Sequence, residues 1–238
     1  MEAQRYEMKS NAVSLLRQVA QVALTTQPEI LPVFYRRNKM AIQQAAIKIT
    51  GISPLLQNNP QTVDPFNRYA KAKKAITNKR TAKTDDDIIE LGNLETESKV
   101  YFDEQIGVYI PATWITESII VTGFSVAKIG RAKMRGGLFA TENKIALEYR
   151  DKAKVKTITD VVMNPAFRHR MLLKQGQVRI PKDAPIFHEW AFKTILEFDD
   201  SVVDLRTLKS IIERASKYGG FGDFRPTFGR AIAEVESV

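Results

Sequence analysis

Ile186-Phe-His-Glu-Trp-Ala-Phe-Lys-Thr-Ile-Leu-Glu-Phe-Asp199 alternates apolar and polar side chains. Ile186, His188, Trp190, Phe192, Leu196 and Phe198 fall on one side, and Glu189, Lys193 and Glu197 on the other. A period of two is the mark of a half-buried strand, so one strand is predicted across the stretch. Downstream, Asp204 can cap a helix in which Leu205, Leu208, Ile211, Ile212 and Ala215 share one face, and Gly219 stands where a left-handed residue closes such a helix. The glycine-rich Gly219-Gly-Phe-Gly-Asp-Phe-Arg-Pro-Thr-Phe-Gly-Arg230 follows, and then a last strand through Ala231, Ala233 and Val235.

Working outward, Ala45, Ile47 and Ile49 alternate with Gln44, Lys48 and Thr50 until Gly51 and Pro54 stop the run, which predicts a first strand. Pro111 and Thr113 introduce a helix carrying Trp114, Ile115, Ile119, Val126 and Ala127, ending at Gly130. Ile145, Leu147 and Tyr149 alternate with Lys144, Glu148 and Arg150 as a second strand. The order is strand, long insertion, helix, strand, strand, helix, strand. That is the split β-α-β of an α+β, ferredoxin-like fold, whose antiparallel sheet has helices on one face and leaves the other open to a ligand. The main domain is placed at 40–238 with an inserted lobe at 52–104. Residues 1–39 form an N-terminal arm: Ser10 or Asn11 caps a helix with Ala12, Leu15, Leu16, Val19 and Ala23 on one face, and a linker broken by Pro28 and Pro32 carries Arg36, Arg37 and Lys39.

A length of 238 residues suits one compact domain with such an arm or lobe. The absence of cysteine excludes a disulfide scaffold, a thiolate nucleophile and a thiolate metal site. No apolar run reaches the roughly 18 to 20 residues of a membrane span, and the opening residues lack signal-peptide order. A cytoplasmic protein without membrane contact is therefore expected. Thirty-six basic residues against 27 acidic ones give a net charge of +9, which attracts polyanions such as nucleic acid.

The charges are clustered. Arg68, Lys71, Lys73, Lys74, Lys79, Arg80 and Lys83 form a block without an acid, and Asp85, Asp86, Asp87, Glu90, Glu95, Glu97, Asp103 and Glu104 follow. Thr84 with Asp87 resembles a capping box, so the acidic triplet reads as a helix start rather than a metal site. Arg131, Lys133 and Arg135 lie in a glycine-flanked stretch from Lys128 to Gly137, read as a loop able to bring its backbone near phosphates. Arg168 and Arg170 belong to another acid-free run. His188 reads as a core residue. No Walker loop, dinucleotide fingerprint or nucleophile elbow is present, so no catalytic residue, metal or cofactor is assigned.

The clusters Gly219-Gly220-Phe221-Gly222 and Phe228-Gly229-Arg230, set between an amphipathic helix and a final strand, resemble the glycine-rich loop of the repeat-associated mysterious protein (RAMP) superfamily of CRISPR effector-backbone and guide-processing proteins. Gly222-Asp-Phe-Arg-Pro226, Ile47-Lys-Ile-Thr-Gly-Ile-Ser-Pro-Leu-Leu56 and Val108-Tyr-Ile-Pro-Ala112 are also similar to segments of uncharacterised bacteriophage proteins. The resemblance implies a ferredoxin-like fold, a loop joining the last helix to the last strand, and a protein that holds single-stranded RNA or DNA by its backbone. A phage-encoded protein in the host cytoplasm, assembling side by side as a homo-oligomer, fits that picture. The expected contacts are Lys71, Lys73, Lys74, Lys79, Arg80, Arg131, Lys133, Arg135, Arg168, Arg170, Gly220, Gly222 and Arg225, with the acidic block at 85–104 meeting the basic block of the next subunit. Two alternatives are a metal-independent endoribonuclease using His169 as general base, with Lys174 or a Tyr to assist, and a phage structural or inhibitory protein that binds another protein.

Overall fold

The computed structural model describes residues 42–238; the N-terminal helix and linker expected in residues 1–39 lie outside them. The chain runs β1 (Ile42–Gly51), β2 (Leu55–Leu56), α1 (Arg68–Thr77), α2 (Asp85–Lys99), β3 (Phe102–Asp103), β4 (Gly107–Pro111), α3 (Ala112–Ala127), α4 (Arg131–Gly136), β5 (Leu138–Ala140), β6 (Lys144–Ala146), α5 (Ile158–Met163), β7 (Arg168–Gln175), β8 (Val178–Phe187), β9 (Ala191–Asp199), α6 (Leu205–Arg214) and β10 (Ala231–Ser237).

The central sheet has the order β10-β1-β9-β5, and every neighbouring pair is antiparallel. With α3 and α6 as the two crossover helices, this is the ferredoxin-like arrangement: last strand, first strand, third strand, second strand. The register puts Ile47 between Val235 and Thr194 and places Leu138 opposite Phe198. Ala45, Ile47, Ile49, Phe192, Leu196 and Phe198 therefore share one face, where Ile115 and Ile119 of α3 and Leu208, Ile211 and Ile212 of α6 bury them. Each large side chain sealed here contributes about 1.5–3 kcal/mol. Asp204 caps α6 by accepting the Thr207 N–H at 2.9 Å, as its sequence position predicts.

Several expectations need correction. The strand predicted over 186–199 is two strands. β8 ends at Phe187, and Glu189 turns the chain with a positive φ of 51° before β9 begins. His188 sits in that turn, half-buried, with its carbonyl accepting the Arg150 N–H at 3.0 Å, so it is not a core histidine. The second strand of the central sheet is β5; the alternation around Ile145 forms β6, which pairs with β4 in a small separate sheet. α3 ends at Ala127, where Lys128 takes the left-handed conformation. Residues 131–136, expected as loop, are helical, because buried Met134 packs against Gly123 of α3.

β7 and β8 form a long hairpin absent from the sequence reading, and β8 also pairs with β2. α2 lies against β8. Its Glu95, buried, accepts the Asp183 N–H at 3.0 Å and Lys182 Nζ at 2.7 Å. Asp183, also buried, takes a two-pronged contact from Arg170 at 2.9 and 2.8 Å. Buried carboxylates are tolerable when compensated in this way. At the N-terminus of α2, the Thr84 side chain accepts the Asp87 N–H and the Asp87 carboxylate accepts the Thr84 N–H, the reciprocal capping box the sequence predicts. Among the described residues no helix is long and apolar enough to cross a membrane.

Candidate nucleic-acid interface

The glycine-rich ending is fixed by close backbone packing. α6 runs on through a π turn (Ala215–Gly219), and the left-handed residue is Gly220, at φ 72°, rather than Gly219. Phe221 is buried, with its ring edge-on to Trp190 at 6.3 Å and to Phe192 at 5.8 Å. Gly222 and Gly229 have φ of 78° and 76°; a Cβ on Gly229 would lie 1.8 Å from the Phe221 carbonyl oxygen, and one on Gly222 would lie 2.4 Å from that of Leu56. Only glycine meets both demands. The loop's amides are largely used internally. Gly220 N–H donates to Ala215 O, Phe221 N–H to Gly229 O, Asp223 N–H to Leu56 O and Gly229 N–H to Pro54 O, at 2.8–3.0 Å. A ligand at this loop would therefore meet rim side chains rather than a cradle of free amides.

Those side chains border a cleft of about 670 Å³ between the loop and the outer surface of α3, with Gly222, Phe224, Arg225 and Pro226 on one wall and Glu117 and Val121 on the other. α4 closes the same neighbourhood. Arg135 forks onto Glu117 with contacts of 2.9 and 2.7 Å. Those hydrogen bonds hold the Glu117 carboxyl below the usual carboxylate range, with the charge of Arg131 assisting. Arg131 lies over the Phe124 ring at 5.4 Å, one turn along α3 from Val121. Beside Gly219, Tyr218 receives Arg214 at 5.6 Å and Lys217 at 5.7 Å. The folded chain thus unites two predicted clusters, Arg131 with Arg135 and Gly222 with Arg225. It adds three exposed aromatics, Phe124, Tyr218 and Phe224. Sequence reasoning missed these and also Arg214 and Lys217, although Lys217-Tyr218 beside the glycines was a visible cation-aromatic pair. Lys133 is not among the residues lining the cleft; its charge adds to the hydrogen bonds from Ser201 that hold the Asp199 carboxyl below the usual carboxylate range.

The remaining predicted cations lie in the α1–α2–β7–β8 lobe, where many are engaged within the chain. Lys73 is half-buried, 3.9 Å from Glu95, and its burial lowers its pKa. Lys79 pairs with Asp87, Arg170 with Asp183, and Arg168 donates to Asn93 and to the Val162 carbonyl. Arg68 pairs with Glu97. The acidic block is accordingly matched by its own chain at Asp87, Glu95 and Glu97, which removes those carboxylates from the expected contact with a neighbouring subunit. Lys71, beside Phe66, and Arg80 are exposed, and Lys74 occupies the last turn of α1.

His169 packs on Phe228 at 5.3 Å. It and Lys174 are an odd number of residues apart on β7, so their side chains leave opposite faces about 17 Å apart along the strand, which rules out their joint action as base and acid. The open face of the central sheet is acidic. Lys48 and Lys193 stand among Glu142, Glu197, Glu234 and Glu236, and Lys48 is already paired with Glu234 at 2.9 Å. It repels a polyanion.

No protein-family model matches the sequence, and no curated relative matches it. Among solved structures, it is similar to a chain of the type III-B Cmr-beta bound to cognate target RNA, with a TM-score of 0.44 and 11% identity, covering 98% of this chain and 75% of that one.

Proposed function

We propose that the chain is a RAMP-like protein that binds single-stranded nucleic acid across its helical side, along the cleft between α3 and the glycine-rich loop. One observation carries the reading: exposed Phe224 and Arg225 line a cleft against Glu117 and Val121 of α3, Arg135 is held on Glu117, and exposed aromatics of the same elements carry cations, Phe124 with Arg131 and Tyr218, beside the cleft residue Gly219, with Arg214 and Lys217. Aromatic faces accept unstacked bases of any identity, and the cations follow the phosphates. Duplexes hide their base faces, so a single strand is the preferred form. Lys71, Lys74 and Arg80 on the inserted lobe extend the positive surface toward a longer strand or a neighbouring copy.

The test is fluorescence anisotropy with labelled single strands of RNA and DNA and with the matching duplex, over a range of salt concentrations. Tighter binding to a single strand than to the duplex, with affinity falling as salt rises, supports the reading. No binding at low salt, or equal binding to the duplex, overturns it.

A further inference from the structure

We infer that the cleft between α3 and the glycine-rich loop reads base edges, with Glu117 and Asp223 selecting guanine over uracil or thymine; the inference rests on the nucleic-acid reading and adds a base preference to it. Two carboxylates line a cleft that is to hold a polyanion, Glu117 on the α3 wall and Asp223 on the loop wall. A carboxylate repels a phosphate, so the favourable contact it can make with a strand is with the N–H groups of a base. Between the two walls the cleft measures about 670 Å³, within the usual size of a site that encloses a small flat molecule.

The local geometry equips both carboxylates for that contact. Arg135 forks onto Glu117 at 2.9 and 2.7 Å, which fixes the plane of the carboxyl group while its side chain stays 46% exposed. Arg135 takes one lone pair from each oxygen, and each oxygen keeps another for a ligand. Asp223 Oδ1 accepts the Phe224 N–H at 3.0 Å, and among the described residues its Oδ2 accepts no hydrogen bond. Phe224 itself is held at a φ of 52°, an uncommon conformation for a bulky side chain, and its ring is 41% exposed beside these acceptors. Backbone strain of this kind collects at ligand sites. A base stacked on Phe224 would present its edge to the carboxylates, and exposed Arg225 is at hand for the adjoining phosphate. The donors then decide which base is held. Guanine offers N1–H and the N2 amino group side by side on its Watson–Crick edge, whereas adenine and cytosine offer one amino group beside an acceptor nitrogen. Uracil and thymine offer a lone N3–H between two carbonyl oxygens that a carboxylate repels. This edge is occupied in a duplex and free in a single strand.

The test is fluorescence anisotropy with labelled single strands of about 12 nucleotides, as RNA and as DNA. One strand is uridine or thymidine throughout, a second carries a few separated guanines, and a third carries inosines at the same places, which keep N1–H and lack the amino group. The guanine strand should bind at least about fivefold more tightly than the plain strand, with the inosine strand between them. Glu117→Gln with Asp223→Asn should bring the three strands within about twofold of one another, and the plain strand should gain affinity because a repelling charge is gone and Arg135 is released to meet phosphate. Glu117→Gln alone, at the exposed surface of α3, should shrink the preference in the same direction. Equal binding of all three strands by the native chain overturns the base preference and leaves the nucleic-acid reading standing, whereas no binding of any strand at low salt overturns both. A guanine preference that survives the two substitutions, or a plain strand that loses affinity with them, overturns the role of these carboxylates.

Discussion

Replacing Gly222 by Ala separates what the glycine-rich loop does for the fold from what its rim does for a ligand. At φ 78°, a Cβ at this position meets the Leu56 carbonyl oxygen at 2.4 Å and the Leu55 Cδ1 at 2.9 Å. A non-glycine residue in that region costs about 1–2 kcal/mol. The carbonyl cannot yield freely, since it accepts the Asp223 N–H at 3.0 Å and belongs to β2, whose Leu55 and Leu56 are buried. Losing that hydrogen bond adds about 1 kcal/mol. The sum, about 2–3 kcal/mol, corresponds to a fall in thermal midpoint of about 5–10 °C for a chain of this size. Arg225→Ala at the same loop should do the opposite: its side chain is exposed, so the midpoint should move by no more than about 2 °C. Single-strand affinity should fall, and the slope of log affinity against log salt should become shallower by about 0.7. Calorimetry gives the midpoints, and anisotropy at four or more salt concentrations gives the slopes. A Gly222→Ala midpoint within 2 °C of wild type refutes the packing argument. An unfolded Arg225→Ala, or one with an unchanged slope, refutes the rim contact.

Exchanging Lys71, Lys74 and Arg80 together for Ala should leave stability nearly intact and flatten the salt slope by up to about two units, whereas an unchanged slope would mean that the lobe does not touch the strand. Phe124→Ala and Tyr218→Ala should each weaken single-strand binding by about 1–3 kcal/mol if a base stacks there, with duplex binding unaffected; equal losses for both forms would point to a nonspecific effect. Asp87, held low by Lys79 and by its capping bonds, Asp160, held low by bonds from Thr157 and Lys156, and Glu117, held low by Arg135, all have depressed pKa values in the folded chain. Depressed carboxylates stabilise above their unfolded values, near 4, and that contribution is lost as pH falls through the lower folded values. The thermal midpoint should therefore be flat from about pH 7 to 5 and decline below about pH 4, and a midpoint that rises on acidification would contradict the assignment.

Local signals were readable because local physics creates them. β1 is legible from Ala45, Ile47 and Ile49, α6 from Asp204 and its apolar stripe, and the start of α2 from Thr84 and Asp87. The break at 188–190 is invisible because His188 and Trp190 keep the alternating phase while the reversal falls on Glu189, a residue with no turn signature. The β7–β8 hairpin is hidden by Pro181 and Pro185 and by strand residues chosen for tertiary ionic contacts, such as Arg170 and Asp183. α4 reads as loop because its glycines sit at its ends, Gly130 as N-cap and Gly137 as C-cap, and its single anchor, Met134, is buried by a distant helix. In the candidate site, Arg131, Arg135, Gly222 and Arg225 were each visible, but their meeting across α3 is a fact of the folded chain alone.

A ferredoxin-like fold has two sides on which a strand of nucleic acid could lie, and topology does not choose between them. Sheet-face readers on this fold place exposed aromatics and cations on the open strands. Here the open strands carry one exposed aromatic, Phe139, among four carboxylates and two lysines, and one lysine is neutralised by its neighbour Glu234. The helical side carries three exposed aromatics and five arginine or lysine side chains, with Glu117 already bound by Arg135. Because single-strand affinity is the product of phosphate charge and base stacking, both terms favour the same side. The net charge of +9 is thus a poor summary of this surface. Among the described residues, Arg131, Arg135, Arg214, Lys217 and Arg225 gather on the helical side and the open face of the sheet is negative, so an approaching polyanion meets one attractive side and one repulsive side.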